Sequence, residues 1–423
     1  MVNYGGDEVS ALVIDIGSSS LRAGYAGDDA PKAIIPTSYG YTLSPSDGDV
    51  TMGDNGSSGP KKEIFVGQNG PSIWRERMEI ANPMVDGLIQ DFFPIKPLIE
   101  HALENVMRVN ASEHPVLVTE PAWNTPANRE RMAEIMFEEF NVPAFYIANT
   151  GVLNAFASGK GTALVVDVGQ TMASITPVVD GFVLRKGLVY SPLPKLVQAQ
   201  ARHILSRQPN ILVPHQLIAS KNPVEMNMPP DFIPRQDRLS GTTESWRKWA
   251  EDREIEEWVQ SVAGVLEQGW NDHLANARPP KQYEFPTGFN TYFGYERFQV
   301  GEQFFMHSPQ LLASNPHLPK HIPALASESL RTLESELRQV LLGNIVLTGG
   351  GTLFHGFAER LSAELSRLVS HHKIHAPGNP IERRYGGWLG GSILASLGTF
   401  HQLWISKEEW QEHGKAIVGQ RCK

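Results

Sequence analysis

The chain has 423 residues, 41% of them hydrophobic and 20% charged, with a net charge of -9. That length and apolar content support more than one buried core. The acidic balance and the lack of a long basic run argue against direct electrostatic binding of nucleic acid, which needs clustered Lys and Arg.

The single cysteine, Cys422, leaves no internal disulfide and suits a reducing compartment. Residues 1–10 are polar and acidic and do not read as a signal peptide. No apolar stretch approaches the roughly 20 residues needed to span a bilayer. A soluble intracellular protein is expected.

Residues 11–14 form a short apolar run ending at Asp15, which reads as a buried strand. Residues 18–27 then alternate through Leu21, Ala23 and Tyr25, so a hairpin is predicted. Residues 44–62 are rich in Ser, Asp and Gly with almost no apolar side chain, and are predicted to be a mobile acidic loop. Residues 128–140 carry Met132, Ile135, Met136 and Phe140 on one helical face. Residues 163–166, ending at Asp167, repeat the opening pattern about 150 residues later. Ile175, Pro177 and Val179 alternate after them, and Asp180-Gly181 makes a turn. A duplicated strand, Asp-x-Gly turn and strand predicts two similar domains facing each other across a cleft.

Residues 207–243 hold Pro209, Pro214, Pro223, Pro229, Pro230 and Pro234, and read as an irregular surface segment. Residues 245–266 read as a charged amphipathic helix whose Trp246, Trp249 and Trp258 are packing residues. Residues 344–347 form a third apolar strand, leading into Gly349-Gly350-Gly351-Thr352 and a helix over 357–369. Strands alternating with helices predict the α/β class.

The chemistry resides in the turns. A glycine-containing turn after a buried strand can present backbone N–H groups to phosphate, and an Asp at the strand end can hold a hydrated divalent ion beside it. Asp15, Gly17, Ser18, Ser19 and Ser20 supply these parts, and Asp167, Gly169, Gln170 and Thr171 supply them again. The Gly349-Gly350-Gly351 turn allows close backbone approach to a base and ribose. Each motif alone is usually structural. The specificity lies in three such turns after apolar strands, in this order.

With these motifs, the chain resembles the actin superfamily. Residues 11–40 with Gly24-Tyr25-Ala26-Gly27-Asp28-Asp29-Ala30-Pro31, residues 115–159 with Ala127-Asn128-Arg129-Glu130, and residues 382–422 with Trp388-Leu389-Gly390-Gly391-Ser392 carry the likeness. The resemblance implies a two-lobed α/β fold of duplicated ribonuclease-H-like domains around a central nucleotide cleft. It divides the chain into four subdomains: 1–36, 83–157 and 386–423; 37–82; 158–193 and 310–385; and 194–309. It implies ATP as ligand with Mg or Ca, the metal held through water by Asp15 and Asp167. Arg22 and Arg384 replace a phosphate-facing and an adenine-side Lys. The adenine-side Lys-Glu pair of the family falls at Gln260 and Ser261.

The chain departs from actin where hydrolysis needs a water held in line with the γ-phosphate. The Gln and His that do this in actins are matched here by Thr150 and Ser174, which reach less far. ATP is therefore expected to be bound and retained, and no catalytic residue is assigned. A hydrolysing, actin-like or chaperone-like ATPase is the alternative, and a sugar kinase of the same superfold is a third reading.

The opening Tyr4-Gly5-Gly6-Asp7-Glu8-Val9, the pair Trp123-Asn124 and the shortened acidic loop are most similar to nuclear actin-related proteins. That resemblance implies a nuclear, non-polymerising structural subunit of chromatin-remodelling and histone acetyltransferase complexes. Such a subunit pairs with actin on a long scaffold helix, acts in transcription regulation and DNA repair, and is compatible with nucleosome or histone contact. The family's partner groove maps onto Phe156, Phe182, Leu394, Leu397 and Leu403. The competing reading makes Ile393, Leu394, Leu397, Phe400 and Trp404 the core face of one helix.

Overall fold

The computed structural model describes residues 10–44, 61–207, 212–307 and 317–423. The all-apolar start of Leu12–Ile16 is buried at every position, as a strand covered on both faces requires. It pairs antiparallel with Ser20–Tyr25 and parallel with Val116–Glu120. The resulting six-stranded sheet runs Ile405–Ser406, Ala144–Asn149, Val116–Glu120, Leu12–Ile16, Ser20–Tyr25, Ala33–Pro36.

A second sheet repeats this plan. Ala163–Val168 pairs antiparallel with Ala173–Val179 and parallel with Ile345–Thr348, and Phe182–Val183, Val189–Ser191 and Ile374–His375 complete it. Each sheet has its own large apolar core. The duplication inferred from the two Asp-x-Gly turns is thus a duplication of sheet topology.

The chain crosses from the first sheet to the second after Thr150–Ala157, a helix whose first turn is capped by the Asn149 side chain accepting from the Gly151 N–H. It returns at the helix Gly386–Ser396. These two helices pack tightly, because Gly390 has no Cβ to overlap the Leu153 carbonyl. Gly387 lies beside Thr150 and Gly390 beside Leu153, so the two helices run side by side.

Three expectations need correction. Ser44 ends the strand Tyr39–Ser44, and Lys61 and Lys62 begin Lys61–Phe65, so a two-stranded ladder occupies both ends of the predicted 44–62 loop. The remainder of that loop, 45–60, lies outside the described residues. The proline-rich 207–243 segment contains an antiparallel pair, Ile218–Asn222 with Asp231–Pro234, and a short helix Gln236–Leu239. Pro209 lies outside the described residues; Pro214, Pro223, Pro229, Pro230 and Pro234 sit at a strand end or in connections, where no ladder N–H is lost. Finally, the helix Gly386–Ser396 stops before Leu397. Phe400 and Trp404 are buried, whereas Ile393, Leu397 and Leu403 are exposed, so no single helix carries all of them into the core.

Residues 245–266 form the helix Glu244–Val262, with the Thr243 hydroxyl accepting from the Trp246 N–H at 3.2 Å. Trp246 and Trp258 are fully buried, as packing residues should be.

Candidate functional site

The two Asp-x-Gly turns close in the same way. The Gly17 N–H donates to the Ser20 carbonyl at 3.1 Å, and the Gly169 N–H donates to the Met172 carbonyl at 2.9 Å. The turns meet through a hydroxyl pair, Ser18 Oγ and Thr171 Oγ1, 2.8 Å apart. Around them lies a cleft of about 810 Å³, within the range of cofactor pockets.

Asp15, Gly17, Ser18, Ser19, Ser20, Arg22, Asp167, Gly169, Gln170, Thr171, Gly349, Gly350, Gly351 and Arg384 all line this cleft, as do Thr150 and Ser174. Thr352 does not. It is fully buried, and its hydroxyl donates to the Gly349 carbonyl at 2.7 Å, so it shapes the glycine turn from behind. Gly349 needs that support: its φ is 91°, and a side chain there would run into the Val168 carbonyl. Gln260 lines the cleft and Ser261 does not. Glu256 and Glu257, one helical turn N-terminal of Gln260, and Arg253, two turns away, line it as well. These three were not singled out in the sequence, because charged residues on a long helix read as its solvated face.

The two aspartates have different surroundings. Strand register sets Arg22 opposite Asp15 and Ser174 opposite Asp167. Arg22 Nη1 donates to Asp15 Oδ2 at 2.5 Å, and Thr119 Oγ1 donates to Asp15 Oδ1 at 2.6 Å. Tyr385 covers the same guanidinium, with its ring centre 5.1 Å away. Asp167 opens partly onto the cleft and is otherwise enclosed by protein. That desolvation pushes its carboxyl up to about 6; the nearby Asp15 adds to the rise and Arg22 opposes it.

Two neighbouring carboxylates facing a cleft of hydroxyls suit a cation bound between them. Among the described residues no three His, Cys, Asp or Glu side chains converge as a complete metal cage. A divalent ion here would therefore be held through water and ligand oxygens, with Asp15, Asp167 and Gln170 around it.

The family model for actin matches residues 6–423. The chain belongs to the actin family. It is 35% identical to actin-related protein 4 of Mycosarcoma maydis, over 99% of each chain. It is 38% identical to actin-related protein 4 of Yarrowia lipolytica, over 97% of this chain and 95% of that one. Actin-related protein 4 of Arabidopsis thaliana is 34% identical, over 99% and 100%. The two-lobed actin fold and a nucleotide-binding cleft follow from that membership.

The residues that the resemblance maps to a partner groove differ in exposure. Phe182 is 62% exposed, Leu397 46% and Leu403 44%. Phe156 and Leu394 are half-buried, and the Phe156 ring lies over Gly181. No helix among the described residues is long and apolar enough to cross a membrane.

Proposed function

We propose that this actin-family chain binds ATP in the cleft, retains it with negligible hydrolysis, and serves as a nuclear structural subunit of chromatin-remodelling and histone acetyltransferase complexes. The observation that carries the reading is the pair Thr150 and Ser174. Both line the cleft, and no histidine is among the residues lining it. In-line attack on a γ-phosphate needs a water fixed by long polar side chains, and neither residue provides one. Asp15 and Asp167 would hold a hydrated Mg or Ca beside the phosphates, and Arg22 and Arg384 would meet their negative charge. The metal would neutralise phosphate charge. The bound nucleotide would stabilise the closed fold by linkage.

Exposed Phe182, Leu397 and Leu403 fit the apolar face of a long partner helix, on which actin would dock beside this chain. Transcription regulation and DNA repair follow from membership of such complexes, and the chain does not polymerise on its own. The competing reading, an active ATPase, draws on Gln170, a side chain long enough to orient water beside Asp167. Extraction of the nucleotide from purified protein, followed by phosphate release over hours with Mg²⁺, separates the two. Intact ATP with negligible release is expected; recovered ADP or steady release would overturn retention.

A further inference from the structure

The two lobes are joined at their base by the crossovers near Ala157 and Gly386, so opening the cleft must part them most at the far end. At that end they share a core. Met78 and Trp74, from the tip of the first lobe, pack with Leu217, Trp246 and Ala250, from the tip of the second. The two tryptophans reach in opposite directions. Trp246 Nε1 donates to the Pro71 carbonyl at 3.1 Å, and Trp74 Nε1 donates to Thr242 Oγ1 at 2.9 Å.

Polar bonds to the backbone knit the same seam. The Gln216 side chain accepts from the Trp74 N–H at 3.0 Å and donates to the Ser72 carbonyl at 2.5 Å. The Arg77 N–H donates to the Gly241 carbonyl at 2.7 Å, and the Ile80 N–H donates to Ser245 Oγ at 2.9 Å. This seam has the composition of a protein interior: Trp246 is 1% exposed and Met78 is fully buried. Tryptophans with satisfied N–H groups in a desolvated patch are the usual anchors of stable interfaces.

We infer that this tip seam is a clasp that holds the lobes closed without help from a ligand, and that breaking it limits the rate at which nucleotide leaves the cleft. The second half of the statement rests on the proposed nucleotide binding; the first half does not. A ligand in the cleft adds stability to a closed state that the clasp already sets. Leaving the cleft requires the clasp to open, because the rotation that frees the ligand first exposes Trp74 and Trp246 to water. Retention then comes from a contact remote from the phosphate turns.

Two measurements on the full chain test this. Spin labels at Asn69→Cys and Asp237→Cys, exposed positions on opposite tips, report the tip separation. Nucleotide-free wild type should give the same narrow distance distribution as protein with ATP and Mg²⁺, and Trp74→Ala should broaden it. A distribution that broadens in wild type when nucleotide is stripped overturns the clasp, whether or not the chain hydrolyses ATP. Release of a fluorescent ATP analogue, chased with unlabelled ATP, should then quicken about tenfold or more in Trp74→Ala. Gln216→Ala, which removes surface-side bonds and leaves half-buried Trp74 and buried Trp246 in place, should give a smaller acceleration. Unchanged release from both variants overturns the rate-limiting role. If wild type binds no analogue, nucleotide binding and the rate-limiting role fail together, while the distance measurement still decides whether the lobes close unaided.

Discussion

The hairpins Leu12–Tyr25 and Ala163–Val179 share one topology, one turn hydrogen bond and one Asp at the strand end, yet they hold that Asp differently. Opposite Asp15 stands Arg22, so the carboxylate is ion-paired and also bonded by Thr119. Opposite Asp167 stands Ser174, and the carboxyl is pushed up to about 6. Cross-strand neighbours lie within about 5.5 Å of each other, so a single residue choice across the ladder decides whether the Asp is compensated. Duplicating the fold did not duplicate the electrostatics. In one hairpin the Asp is ion-paired across the ladder, and in the other a serine stands in that place.

The largest break in this comparison comes from Arg22→Ala. It strands a buried carboxylate without its partner, and loss of one member of a buried pair costs about 3 kcal/mol or more. Urea denaturation should show a loss of that size; a change below about 1 kcal/mol would mean that Thr119 and solvent alone suffice for Asp15.

Asp167→Asn should act in the opposite direction. The folded state holds the Asp167 proton up to about 6, whereas an ordinary Asp loses it near 3.8. Stability therefore falls as pH rises through that window, because the folded form binds more protons there than the unfolded one. In nucleotide-free protein with EDTA, Asp167→Asn should stabilise by about 1–2 kcal/mol above pH 7, discounted for the side chain's opening to the cleft. The gain should vanish below pH 4. Stabilisation that is independent of pH would show that ionisation of Asp167 is not what costs the native state.

The smallest effect is kinetic. Supplying the longer side chains at the two degenerate positions, Thr150→Gln with Ser174→His, should raise phosphate release by about tenfold, less than the roughly hundredfold low end for an evolved, positioned base. The same experiment sharpens the hairpin comparison, since His at 174 would also face Asp167 across the ladder. No increase would mean that the cleft lacks more than these two groups.

Much of the fold was legible locally. Alternation in residues 18–27 and 173–179, next to Asp-x-Gly turns, is a period-2 signal for strands, although Ala173–Val179 is buried at nearly every position. The helix Glu244–Val262 was legible in the same way, from the amphipathic run over 245–266. The cleft-lining turns were legible because three of them follow apolar strands in one order, although each alone is usually structural. Thr352 misled because it continues the glycine run while its side chain turns inward. The strands within residues 207–243 were hidden because prolines were read as breakers throughout, although only their own positions are barred from a ladder.

By itself, then, the sequence determined the repeated hairpins, the three turns and the residue types offered to a ligand, because each depends on neighbours a few positions apart. The tertiary structure alone decided what those residues meet. Arg22 pairs with Asp15 through strand register, and the Glu256 and Glu257 positions reach the cleft through the docking of their helix. Trp74 and Trp246, 172 positions apart in number, share a core only because the two lobes close over the cleft. A tryptophan's need to be buried is written in its chemistry, but the surface that buries it exists only once distant segments have folded together.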